Sequence, residues 1–203
     1  MSAVSPRIGL DLPALVRAAA EIADRDGLEA VTLASVAHKL NVRPPSLYNH
    51  VDGLAGLRRK LAVTGLERLA DRLESAGANL AGDAAIYAFA EAYIGFAREH
   101  PGLYEATLAA PNPGDEELNR AADRLLGQLV RALSFYGLRG DASLHAVRGL
   151  RSLLHGFAEL ERKGAFGLPL DLDETLRLLI GAYLAGLPVI RGGNGQGTTN
   201  RSL

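Results

Sequence analysis

The stretch VTLASVAHKLNVRPPSLYNHV, residues 31–51, decides how the rest of the chain is read. Leu33, Val36, Ala37 and Leu40 recur at helical spacing behind Thr32, whose hydroxyl suits it to cap a helix N-terminus. Asn41-Val42 make a tight turn, and Pro44-Pro45 then begin another short helix. Proline is tolerated there because the N–H it lacks has no partner in a first turn. Two short helices joined by so short a turn form a helix-turn-helix. Leu33, Val36, Leu40, Val42, Leu47 and Val51 can bury against a preceding helix. The other face of residues 44–50, with Ser46, Tyr48, Asn49 and His50 and with Arg43 just before it, stays free for a major groove, where base edges are distinguishable.

Upstream, Leu12, Leu15, Val16, Ala19, Ile22 and Ala23 predict a first helix between an Asp11 N-cap and Gly27 as terminator. Downstream, apolar periodicity predicts helices over about 52–74, 83–100, 102–109, 115–136, 141–163 and 173–187. No run of alternating β-branched residues suggests a sheet. The expected fold is therefore all-α: an N-terminal three-helix helix-turn-helix head over residues 1–52, then a C-terminal helical domain over 53–190. The Gly-rich, polar segment RGGNGQGTTNRSL, residues 191–203, is expected to be disordered.

Composition narrows the class further. Hydrophobic residues make up 48% of the 203, enough for a packed core. The absence of Cys excludes disulfides, zinc fingers and cysteine nucleophiles and fits a reducing cytoplasm. No apolar run approaches a membrane span, and MSAVSPRIGLDL lacks the charge and apolar blocks of a secretory signal, so a cytoplasmic location without membrane attachment is expected. The net charge of −1 hides an asymmetry: residues 1–60 hold eight Lys/Arg against six Asp/Glu, the sign a nucleic-acid-binding lobe requires.

Residues 31–51 resemble the signature of the tetracycline-repressor (TetR) family, which runs from a Thr-capped helix through a Gly-Val turn to a Leu-Tyr-x-His recognition helix, matched here by Leu47-Tyr48-Asn49-His50. The resemblance is close over about residues 12–60 and looser beyond. It implies that Pro44, Pro45 and Tyr48 meet bases or sugars, and that Thr32, Ser46, Asn49 and His50 mostly hold phosphates. Three positions depart from the pattern. Asn41 replaces the turn glycine, a mild change because Asn tolerates left-handed backbone. Arg43 replaces a small polar cap, and Leu54 replaces a common lysine, leaving the basic run Arg58, Arg59 and Lys60, with Arg58 first among them, to supply a phosphate contact.

The last two predicted helices have wide apolar faces that need partners. In proteins resembling this family, such a pair packs against its copy in a second subunit. The resemblance thus implies a homodimer joined through Leu150, Leu154, Phe157, Leu176, Leu179, Ile180 and Tyr183, reading a palindromic double-stranded operator. Leu154-His155-Gly156 is similar to the Trp-His-Gly element of one C-terminal subclass, without its Trp. By the same resemblance the chain is expected to be a repressor released by a small apolar effector of unknown identity. Phe89, Tyr93, Phe96, His100, Tyr104, Phe135 and Tyr136 are the candidate ligand-binding residues. The alternative is the same DNA-binding or dimerising fold with no small-molecule switch.

An enzyme is not expected. The sequence has no Glu-x-x-His pair, no His-Glu-x-x-His and no Gly-x-Ser-x-Gly, so no catalytic residue, metal ligand or cofactor is assigned.

Overall fold

A computed structural model of the chain describes residues 10–109 and 114–192. Among these residues every regular element is helical, as the periodicity requires. They divide into two compact units, residues 10–66 with 100–109 and 114–118, and residues 67–99 with 119–192.

In the first unit, α1 (Leu12–Asp26) starts where the Asp11 carboxylate accepts a hydrogen bond from Ala14 N at 2.7 Å, and ends at Gly27 with φ 90°. A short 3₁₀ turn, Leu28–Ala30, leads to α2 (Leu33–Lys39), and a six-residue 3₁₀ helix, Pro44–Asn49, follows. Helix α3 (Gly53–Gly77) begins in this unit, and α5 (Pro101–Ala106) completes it. The buried face of α1 is rich in alanine, which lets α5 come very close. A Cβ on Gly102 would lie 2.1 Å from the Ala23 backbone, so only glycine fits there. The Asp24 carboxylate locks the crossing: it accepts from Leu103 N at 2.8 Å and meets His100 Nδ1 at 2.9 Å. Leu15, Leu47, Leu57 and Leu61 fill the core with no exposed surface.

In the second unit, α4 (Gly82–Glu99) packs against α7 (Asp141–Arg162) and α8 (Leu172–Gly192), while α6 (Glu116–Ser134) carries the chain between the units. Ile86, Ile94, Leu150 and Ile180 are fully buried among them. Arg98 of α4 reaches both Glu161 and Asp173 at 2.8 Å. Arg124 of α6 likewise holds Asp71 and Glu74 of α3, each at 2.6 Å.

Two boundaries differ from the sequence expectation. The first compact unit does not stop at residue 52. Leu57 and Leu61, in the first turns of α3, are as buried as the core of the head, so that stretch folds with it. Helix α8 continues past Leu187, through Pro188, to Gly192. Two residues of the segment expected to be disordered, Arg191 and Gly192, are therefore helical, and 193–203 lie outside the described residues. The short helix expected after the turn is a 3₁₀ helix.

Candidate nucleic-acid interface

The geometry of the reading element follows from its caps. Thr32 Oγ1 accepts from Ser35 N at 3.0 Å while Ser35 Oγ accepts from Thr32 N at 2.9 Å. This reciprocal capping box fixes the start of α2. At the other end, Val42 N donates to Ala37 O at 2.9 Å and Asn41 N to His38 O at 3.1 Å. Those two bonds, with Asn41 at φ 53°, form a Schellman motif with asparagine in the place usually held by glycine. The departure noticed at Asn41 is thus absorbed without changing the turn. Arg43 makes no side-chain cap bond, as its side chain implied, and leaves the 3₁₀ helix to start on Pro44 alone.

A single face of that helix is anchored. Leu47 is completely buried beside Val36, Ala37 and Val51, while Tyr48, the next residue, is 62% exposed. Arg43, Pro44, Pro45 and Asn49 are exposed with it, and Ser46 and His50 are half-buried at its edges. Arg43, Pro44, Pro45, Tyr48 and Asn49 are thus all open to solvent, with Thr32 exposed at the preceding cap. A large exposed aromatic beside two prolines gains nothing from folding, and it is the kind of group a base edge or sugar can take up.

Arg58 is held elsewhere. Its guanidinium pairs with Glu29 at 3.0 Å, and its Nε is buried without a partner. Arg59 pairs with Asp115 and, at 3.1 Å, with Glu117, which Lys60 also reaches at 2.7 Å. The Arg59 guanidinium and the Leu118 N–H hold the Asp115 carboxyl down to about 2. The basic run 58–60 is therefore a set of intramolecular clamps rather than an open phosphate surface. Acidic partners so far along the chain leave no mark on its local pattern.

The candidate ligand-binding residues separate. Phe89 and Phe135 line a cavity of about 490 Å³ in the second unit. Tyr93 and Phe96 are packed in the core of that unit. The Tyr136 hydroxyl donates to Asp83 Oδ1 at 2.6 Å, and burial together with that carboxylate pushes its pKa up. His100 and Tyr104 belong to the first unit, where His100 faces Asp24. Sequence reasoning missed Glu74 and Gln128, which share the wall of the cavity. Gln128 occupies an ordinary polar position of α6, and only its burial distinguishes it.

The residues expected between subunits need correction. Leu150, Leu154, Phe157, Leu176 and Ile180 are buried within the chain's own packing of α4, α7 and α8, so they have no surface left to offer a second copy. Tyr183 is half-buried, its hydroxyl donating to Ala146 O at 2.6 Å, and burial pushes its pKa up to about 12. Of the seven only Leu179 is exposed. Leu178, Ala182, Ala185 and Val189 of α8 are exposed with it. Helix α4 covers the inner stripe that the resemblance assigned to a second subunit.

Among the described residues no group of three His, Asp or Glu side chains stands close enough to hold a metal ion, and no helix is long and apolar enough to cross a membrane.

Residues 86–183 match the family described as tetracyclin repressor-like, C-terminal domain. A helix-turn-helix-type transcriptional regulator of Bacillus subtilis is 44% identical over 185 residues, covering 91% of this chain and 96% of its own. One from Mycobacterium tuberculosis is 34% identical over 179 residues, covering 88% of this chain and 82% of its own. Among solved structures, a TetR Gln-to-Ala variant from Acinetobacter baumannii in complex with minocycline shares the fold, with a TM-score of 0.67 and 19% identity over 90% of this chain and 98% of that one.

Proposed function

The chain belongs to the TetR family of helix-turn-helix transcriptional regulators, whose role is regulatory and not enzymatic, and on that premise we propose that it is a cytoplasmic repressor that a small ligand releases from a palindromic operator. The observation that carries the DNA-reading part is the pairing of a wholly buried Leu47 with a 62% exposed Tyr48. One residue pins the 3₁₀ helix to the head, and the next is presented to the groove with Pro44, Pro45, Asn49 and Arg43. Thr32, Ser46 and His50 flank that surface and suit phosphate contacts. Arg58 joins them only by leaving Glu29, so we keep it outside the primary contact set.

A homodimer would present two such surfaces to the two half-sites of a palindrome. The exposed apolar groups Leu178, Leu179 and Val189 of α8 support its placement on the outward side of that helix. The lined cavity in the second unit supports an effector. Such a ligand shifts the repressor off DNA only through different affinities for the DNA-competent and released states.

The test is selection of bound duplexes from a random DNA pool at one fixed, moderate salt concentration, with wild type and Tyr48→Ala in parallel. A palindrome enriched by the wild type alone is the expected result. Enrichment of the same palindrome by both proteins would remove Tyr48 from the reading surface. No enrichment by either would end the reading of this chain as an autonomous operator binder.

A further inference from the structure

The positive charge that the head has to offer DNA is mostly neutralised within the head. Among the described residues 10–66, Arg25, Lys39, Arg58, Arg59 and Lys60 each pair with a carboxylate of the same unit, which leaves Arg17 and Arg43 unpaired. These pairs are not equivalent. Arg59 sets Nε and Nη2 on the two oxygens of Asp115 and Nη1 on Glu117. Arg58 sets a single nitrogen, Nη2, on Glu29 Oε2 at 3.0 Å, and its Nε is buried with no hydrogen-bond partner. A buried N–H without an acceptor is rare and disfavours the conformer that buries it. Glu29 is 86% exposed, so water screens the pair and it holds weakly.

The carboxylate that holds Arg58 stands close to a residue assigned above to phosphate. Glu29 lies in the 3₁₀ turn Leu28–Ala30, three residues before Thr32, so their Cα atoms are at most about 11 Å apart. That turn is tied to the start of α2: Ser35 Oγ donates to Ala30 O at 2.9 Å and accepts from Thr32 N at 2.9 Å. Arg58 approaches from the second turn of α3, which begins four residues after the reading helix ends at Asn49. The guanidinium is thus held beside the proposed contact surface, and its acceptor is an anion. A carboxylate and a phosphate present a guanidinium with the same forked pair of oxygens, so one can stand in for the other.

Building on the DNA-reading assignment above, we infer that Glu29 sets the affinity of the head for the DNA backbone: its carboxylate takes the place of an operator phosphate at Arg58 and keeps that guanidinium out of the contact set. Without the carboxylate Arg58 swings outward, which frees its buried Nε and gives the head one more cationic contact. That contact is to phosphate, so it strengthens binding to selected and unrelated sequences alike and leaves sequence preference unchanged. Arg59 and Lys60 are not released in the same way, because Asp115 and Glu117 hold each of them through more than one hydrogen bond.

The test maps phosphate contacts on the palindrome selected by the wild type, using duplexes that carry one neutral methylphosphonate at a time. The full chain is compared as wild type, Glu29→Gln, Arg58→Ala and the double variant. The expected result is one more sensitive phosphate per half-site for Glu29→Gln than for wild type, and its loss in the double variant. At one moderate salt concentration Glu29→Gln should bind roughly three- to tenfold tighter, by the same factor on the palindrome and on a scrambled duplex. The slope of log K against log salt should steepen by about 0.9 for each head engaged. Glu29→Ala, which leaves no acceptor at all, should match or exceed Glu29→Gln, and both should melt within about 3 °C of wild type. The same sensitive phosphates in wild type and Glu29→Gln would overturn the inference, as would a new sensitivity that survives the loss of Arg58. A phosphate already sensitive in wild type and lost in Arg58→Ala would show that Glu29 withholds nothing. These outcomes leave the DNA reading standing, whereas a wild type that selects no duplex removes that reading and this inference with it.

Discussion

The head and the second unit expose opposite things. Around Leu47 the head has a closed apolar core, and what it shows to solvent is a polar surface punctuated by Tyr48 and two prolines. The second unit closes its core with Ile86, Ile94, Leu150 and Ile180, yet still leaves Leu178, Leu179 and Val189 of α8 in the open. A surface meant for DNA is built from donors, charge and a few stacking or wedging groups, because its partner is a polar, hydrated polyanion. A surface meant for another protein keeps apolar area in reserve. In each unit the groups proposed to make the contacts are those that the unit's own folding did not consume.

The largest effect that would break this contrast is expected from α8. Changing Leu178 and Leu179 together to Glu removes apolar contact twice over in a two-fold interface, on the order of 3–6 kcal/mol. Sedimentation should then report monomers that retain the helical content of the wild type. An unchanged dimer would move the interface off this face. Next in size is Leu47→Ala, which opens a cavity in a site with no exposed surface and should lower unfolding free energy by about 2–5 kcal/mol in denaturant titrations. Tyr48→Ala, one residue on, should change stability by less than about 0.5 kcal/mol. Its cost should fall on specific DNA binding instead, about 1–3 kcal/mol in a salt-controlled titration of the selected operator. If the two substitutions instead behaved alike in stability, the division between anchoring and reading faces would fail.

The smallest effect concerns the clamp behind the head. Asp115 is held down to about 2 from an ordinary 3.8, chiefly by the Arg59 guanidinium. A carboxylate favoured in the folded state contributes its stability above its unfolded pKa and loses it as pH falls through the folded one. Wild-type stability should therefore carry an added decline between about pH 4 and 2, and Asp115→Asn should remove that component while lowering stability at neutral pH. An acid transition of the same shape in both proteins would show that the pair contributes nothing.

Much of the head was legible because its signals are local. The Asp11 and Thr32 caps, the Asn41 turn, the missing cap at Arg43 and the alternation between Leu47 and Tyr48 depend on neighbours within a few residues, and each is where the sequence placed it. The basic run 58–60 was not legible. Whether Arg58 faces solvent or Glu29, and whether Arg59 and Lys60 meet phosphate or Asp115 and Glu117, depends on residues tens of positions away. The seven aromatic and histidine candidates were chosen for chemistry alone, and packing separated them: two line the cavity and the others are spent on the core or on Asp83 and Asp24.

By itself the sequence determined the all-helical class and the helix-turn-helix, since helix periodicity and capping act over one or two turns and need no distant partner. It also determined that α7 and α8 are amphipathic. Tertiary structure alone decided which stripe of those helices α4 would cover, so that Leu150 and Ile180 are core while Leu178 and Leu179 are surface. It alone decided that an unremarkable glutamine at 128 would be buried with its side-chain oxygen unpaired. An apolar stripe specifies burial without naming the partner, because the hydrophobic effect is non-directional, and the partner is chosen only when the whole chain packs.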